Sequence, residues 1–266
     1  MRIGIVAPSC PIDADLADRV AARAAALYGS AAPELVFHPQ CFLSHGHFAG
    51  TDAARLAALV ETANDPAIDT IWFARGGYGA VRIAQAALPH LGEAARAKAW
   101  LGYSDAGTLL AGLYAHGIGT VAHGPMPADI RRDGGSAAVD RALRWLVDRP
   151  AAAPGPPMAA FNLTILSHLI GTSLQPDLAG HVLMLEDVAE YHYRIDRCLG
   201  HVTANPGIRR VAGIRMGRFS DIPENDRPFG MGVEAMFRHW CAVSGIPFLG
   251  SADIGHDAAN TVVPFG

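Results

Sequence analysis

The segment Trp100-Leu-Gly-Tyr-Ser-Asp105 carries the most specific chemistry in the chain. An apolar run ends in glycine, a serine sits at the turn, and a helix-forming stretch begins at once. Open α/β sheets hold ligands at the carboxyl ends of their strands, so a serine in this position is exposed to substrate. The amide after it then faces whatever the hydroxyl attacks, and the positive end of the helix favours a developing oxyanion. The pattern resembles a nucleophile elbow without being G-x-S-x-G, because Asp105 and Ala106 occupy the last two positions. Two readings stand at this level: Ser104 is an attacking hydroxyl, or it caps the helix that follows.

A second turn, Arg75-Gly-Gly-Tyr-Gly79, also follows an apolar run. Its glycines allow positive φ and close backbone approach, which suits an oxyanion donor, a substrate clamp or simply a tight turn. It lacks the G-x-G-x-x-G spacing of a dinucleotide site, and no lysine followed by Ser or Thr completes a P-loop. Arg75 and Tyr103, beside the two turns, are candidates for binding substrate. The guanidinium fork of Arg75 matches a carboxylate, although it could equally brace its own loop.

A nucleophilic serine needs a base, and twelve histidines compete for the role. His45 and His47 have no carboxylate nearby in sequence and no H-E-x-x-H occurs, so no metal site is expected. His116 and His239 read as helix residues, and His123 could line a cleft. His256, in Asp253-Ile-Gly-His-Asp257, follows a strand in a turn, a good place for a catalytic group that spacing alone does not single out. In Leu185-Glu-Asp-Val-Ala-Glu190 a carboxylate could orient an imidazole and stabilise its cation. Glu186, nearest the strand, is the better candidate, whereas Glu190 reads as charge at a helix start.

The elements that must position these residues alternate. Strands are expected at 3–7, 34–38, 68–74, 99–102 and 119–122, with helices at 13–28, 51–64, 81–88 and 106–115. Such alternation implies a parallel sheet covered by helices. Four prolines and a glycine between Arg149 and Met158 break the pattern. The fold class is therefore α/β: an N-terminal parallel-sheet domain (1–148), a linker (149–159) and a smaller mixed α/β domain (160–266). In the latter, helices are expected at 162–170, 193–202 and 232–243, with strands at 181–185, 211–216, 248–254 and 261–264.

Composition narrows the function. The 266 residues are half apolar and 17% charged, enough for a core without staples. The net charge of −4 and the lack of a basic run argue against nucleic acid. No segment reaches the ~18 uncharged apolar residues of a membrane span, and the start of the chain lacks a signal-peptide pattern. The four cysteines form no C-x-x-C pair and read as reduced, mostly buried thiols, which points to the cytoplasm.

Taken in order, eight segments resemble the LD-carboxypeptidase family of serine peptidases, which includes the microcin self-immunity peptidases. They are Val6-Ala-Pro-Ser9, Phe48-Ala-Gly-Thr-Asp52, Ala74-Arg-Gly-Gly-Tyr-Gly79, Leu101-Gly-Tyr-Ser-Asp105 and His123-Gly-Pro-Met126. Asn162-Leu with Gly171-Thr and Gln175-Pro-Asp177, Leu185-Glu-Asp with Tyr193-Arg-Ile-Asp-Arg197, and Gly255-His256 complete the set. The resemblance implies Ser104 as nucleophile, Glu186 as orienting carboxylate and His256 as general base. It also implies oxyanion donors from the Asp105 amide and the Gly76-Gly77 turn, no cofactor, and a homodimer. The implied reaction releases terminal D-alanine from murein tetrapeptides, small peptide substrates of cytoplasmic cell-wall recycling. A relative acting on a peptidyl-adenylate and a non-catalytic two-domain binding protein are the alternatives. Two departures bear on the pocket: Ala160-Phe161 replaces the usual Gly-Gly before Asn162-Leu, and the Ser104–Glu186 segment is short.

Overall fold

The computed structural model describes residues 1–150 and 155–266. Strands β1 (Arg2–Val6), β2 (Glu34–Phe37), β3 (Thr70–Phe73), β4 (Ala99–Gly102) and β5 (Thr120–His123) pair in parallel in the order β2-β1-β3-β4-β5. β3 and β4 are buried throughout, as expected of strands with helices on both faces. The helices between them are α1 (Ala14–Tyr28), α2 (Asp52–Asn64), α3 (Val81–Ala87), α4 (Glu93–Arg96) and α5 (Gly107–Ala115). Local chemistry sets their starts: Asp13 accepts from the Leu16 amide and Thr51 from the Ala54 amide, each satisfying a donor that the helix leaves free. A further helix, α6 (Gly135–Asp148), was not anticipated, although Ala138, Val139, Ala142, Leu143 and Leu146 form a helical stripe.

A second sheet contains β6 (Met158–Asn162), β7 (Val182–Val188), β8 (Gly213–Ser220) and β9 (Phe248–Ser251), all parallel and adjacent in that order. Helices α7 (Leu163–Leu169), α8 (His192–Ala204) and α9 (Val233–Ser244) accompany it. Of the expected linker, residues 151–154 lie outside the described residues, and Met158 and Ala159 are already strand. The last strand, β10 (Val263–Pro264), leaves this half and pairs antiparallel with β5, Val263 opposite His123, covering an edge of the first sheet. The chain thus crosses back over itself, and the loop bearing His256 lies on that return path.

One apolar cluster runs through both sheets, joining Trp100 and Leu110 to Phe161, Leu166 and Leu185. Helix α5 is buried from Gly107 to Leu113, and a β-carbon at Gly107 would lie 3.6 Å from Ile165 of α7. Each large side chain buried in this cluster contributes ~1.5–3 kcal/mol. The two halves therefore share a core, and the distance between their functional groups is set by packing. Among the described residues, no helix is long and apolar enough to cross a membrane.

Candidate active site

The first sheet has the order 2-1-3-4-5, and its chain direction switches beside β1 and β3, where open α/β sheets form their crevice. At the carboxyl ends of β1, β3, β4 and β5 stand Ser9, the Gly76-Gly77 turn, Ser104 and His123.

Ser104 adopts φ of +57°, a left-handed conformation rarely taken by a residue with a side chain. Such strain costs of order 1–2 kcal/mol and persists only where the surroundings impose it. They do so here through Asp105, which is 2% exposed and whose carboxylate accepts from the Ala80 amide (2.8 Å) and from the Ser9 hydroxyl. Those contacts tie the β1 and β3 loops to the elbow. Gly76 supplies the room, since a β-carbon there would lie 2.8 Å from Ser104 Cβ and Oγ. Gly77, at φ of +114°, packs against Cys10 in the same way. Ser104 does not cap a helix: it opens a 3-10 turn (Ser104–Ala106) whose N-cap is Tyr103, and no side chain caps it.

His256 lies beyond β9, with Nδ1 2.6 Å from Glu186 Oε2. Glu186 is fully buried and His256 8% exposed. A carboxylate accepts, so Nδ1 donates and Nε2 is left as the basic atom. Nε2 has no hydrogen-bond partner among the described residues. Burial alone lowers the His256 pKa, but the charge and hydrogen bond of Glu186 outweigh it and hold the imidazole above its usual value. Burial in turn pushes the Glu186 carboxyl up.

Glu186 was expected just past a strand ending at Leu185. Instead β7 continues to Val188, and Glu186 sits where the register with β8 shifts, a bulge that re-aims its side chain. Gly217 on β8 makes the space: a β-carbon there would lie 2.8 Å from Glu186 Cβ. Asp187 points elsewhere, accepting from Asn162 Nδ2 (2.6 Å) and from the Thr164 amide (3.0 Å) and hydroxyl (2.8 Å) at the start of α7. Glu190 pairs with Arg194 at 3.5 Å. Each acidic residue of the cluster has a separate partner.

Ser104, His256, Arg75, Gly76, Gly77 and Tyr103 line one cavity of about 470 Å³. Arg75 is exposed, and among the described residues its one hydrogen bond is a long one to the Pro11 carbonyl (3.4 Å). Tyr103, expected to touch substrate, is 2% exposed, and its hydroxyl donates to Asp129 Oδ1 at 2.7 Å. What it contributes is its ring, packed on His256 with centroids 4.8 Å apart. Asp129 and the carboxylate of Asp105 went unnoticed in the sequence, because their partners are distant along the chain. Among the described residues, no three His, Cys, Asp or Glu side chains converge as metal ligands. Burial pushes the thiols of Cys41 and Cys241 up to about 12 and about 11, which leaves neither as a competing nucleophile.

Comparison with known proteins matches both halves of the chain. The profile of the LD-carboxypeptidase N-terminal domain matches residues 3–124, and that of the LD-carboxypeptidase C-terminal domain matches residues 157–266. A protein of Synechocystis sp. bearing a carboxypeptidase name is 32% identical over 280 residues, covering 100% of this chain and 89% of its own. The murein tetrapeptide carboxypeptidase of Pseudomonas aeruginosa is 29% identical over 246 residues, covering 83% and 78%. The crystal structure of muramoyltetrapeptide carboxypeptidase from Oxalobacter formigenes superposes with a TM-score of 0.81 at 24% identity, covering 99% of this chain and 93% of that one. The structure of MccF in complex with glutamyl sulfamoyl guanosine reaches the same TM-score at 18% identity, covering 100% and 91%. At these identities the two structures speak for the fold.

Proposed function

The chain belongs to the LD-carboxypeptidase family, and on that premise we propose that it is a serine carboxypeptidase that releases terminal D-alanine from murein tetrapeptides. Ser104 Oγ attacks the scissile carbonyl while His256 Nε2 takes its proton. The imidazolium then passes that proton to the amine of the departing D-alanine. Water, activated by the same imidazole, hydrolyses the acyl-enzyme. Glu186 sets the tautomer and balances the charge of the imidazolium without taking the proton. The amides of Asp105 and the Gly76-Gly77 turn hold the oxyanion, where loss of one donor costs about 3–4 kcal/mol of barrier. Arg75 receives the terminal carboxylate of the substrate.

One observation carries the reading: the unpartnered Nε2 belongs to an imidazole anchored on a buried carboxylate, and that imidazole lines the same cavity as a serine held at positive φ. The murein peptide named for the Pseudomonas relative supports the substrate. The proposed setting is cytoplasmic peptidoglycan recycling by a homodimer of two-domain chains, and light scattering in solution tests the dimer. Incubation with murein tetrapeptide and mass spectrometry for D-alanine tests the function, with Ser104→Ala as control. An aminoacyl sulfamoyl nucleoside amide in parallel tests the second reading, motivated by the ligand of the MccF complex. Turnover of that compound and not of tetrapeptide would reverse the order of the two.

A further inference from the structure

Beneath the candidate base lies a polar pair that the mechanism above does not use. His123, the last residue of β5, is 1% exposed, and so is Asn260, 137 residues later. His123 Nε2 lies 3.2 Å from Asn260 Oδ1. The same oxygen also accepts the Gly255 amide at 3.2 Å, and Gly255 immediately precedes His256.

These contacts favour one tautomer of His123. A backbone N–H can only donate, so the carboxamide turns its oxygen toward Gly255. The Nε2 of His123 facing that oxygen then serves as a donor, while the Ala160 backbone also favours a proton on the ring. Burial pulls the His123 pKa down to about 3, so the ring stays neutral and adds no second positive charge beside the His256 imidazolium. The Tyr103 ring fills the remaining space, with centroids 5.5 Å from His123 and 4.8 Å from His256. Arg141 of α6 grips the same loop through the carbonyls of Asn260 (3.0 Å) and Ala258.

We infer that His123 is a positioning residue: through the Asn260 carboxamide it fixes the Gly255-His256 backbone, and with it the direction in which His256 Nε2 faces Ser104. The first sheet thereby supplies the nucleophile and also aims the base carried by the returning chain. This inference rests on the reading of His256 as base, but its structural half can be tested without turnover.

The test compares His123→Ala, His123→Gln and Asn260→Ala by two measurements on the full chain: turnover of murein tetrapeptide, and titration of the His256 imidazole by side-chain NMR. Misplacing a catalytic group by an ångström costs on the order of 100-fold, so His123→Ala and Asn260→Ala should each lower kcat about 10- to 100-fold with KM little changed. Both should also displace the His256 titration. Glutamine can present an amide N–H near the position of Nε2, and His123→Gln should recover most of both losses. Combining His123→Ala with Asn260→Ala should cost no more than either alone. A wild-type kcat and titration in His123→Ala, or equal damage from Ala and Gln, overturns the inference. Should His123→Ala fail to fold, Asn260→Ala is judged by the same criteria. Should the wild type turn over no murein peptide, the carboxypeptidase reading falls, while the NMR titration still decides the inference by itself.

Discussion

Gly76 presents no β-carbon to Ser104, and one built there would lie 2.8 Å from both the Cβ and the Oγ of the serine. Two loops at neighbouring strand ends thus meet with no space between them. The absence of a methyl group lets the turn lie directly against the serine side chain. Gly76→Ala should therefore lower kcat by about 100-fold, the scale of a small misplacement of reacting groups. Stability should fall as well, by about 1–3 kcal/mol, because the added methyl group overlaps Ser104 where there is no room for it. Steady-state kinetics beside thermal unfolding checks this; a large drop in melting temperature with unchanged kcat would contradict it.

The Glu186–His256 pair predicts a pH profile. The base acts only when neutral, and Glu186 holds its pKa above the ordinary value of ~6.5. The acidic limb of kcat/KM should therefore fall above that pH, with activity lost as pH drops through it. Glu186→Gln removes the charge that raises the pKa and leaves the burial that lowers it. The limb should move to lower pH, and the plateau should fall about 100- to 10,000-fold as the imidazolium loses its counter-charge. A limb that stays in place would mean that another group titrates.

Arg75 offers an exposed guanidinium whose hydrogen bond among the described residues is a long one to the Pro11 carbonyl. If it receives the terminal carboxylate of the substrate, Arg75→Ala should raise KM about 10- to 100-fold, as expected for a charged hydrogen bond worth ~1.5–3 kcal/mol. Arg75→Lys should fall between, keeping charge but losing the fork. A tetrapeptide amidated at its C-terminus provides the control. The difference between Arg75 and Ala should vanish on it, and an undiminished difference would reassign Arg75 to bracing the loop.

Much of the first half was legible because its signals are local. Ala99–Gly102 is an apolar run closed by glycine, Asp13 and Asp15 put acidic charge at the start of one helix, and Thr51 is placed to cap another. α6 was overlooked although Val139, Leu143 and Leu146 recur at helical spacing. β6 was hidden behind the proline-rich segment, as Met-Ala-Ala-Phe-Asn contains no β-branched residue. The end of β7 was misplaced for a physical reason: adjacent acidic residues read as a strand terminus, yet both are buried, Glu186 against His256 and Asp187 against Asn162 and Thr164. The pairing of β10 with β5 and the His123–Asn260 bond join residues more than a hundred positions apart, which no local pattern records. Ser104 and Glu186 stood out at strand ends, with a helix cap left open for Ser104, whereas spacing did not single out His256 among twelve histidines, and the triad came from the family resemblance.

In the proposed mechanism a hydroxyl from the first sheet and an imidazole from the returning chain act as one unit. The most direct test is the rate of D-alanine release by Ser104→Ala, His256→Ala and the double variant. Groups that act together lose their effect together. Each single change should cost about 10,000-fold or more, and the double variant should be no slower than the slower single. Losses that multiply in the double variant, or a single variant that keeps the wild-type rate, would contradict the account.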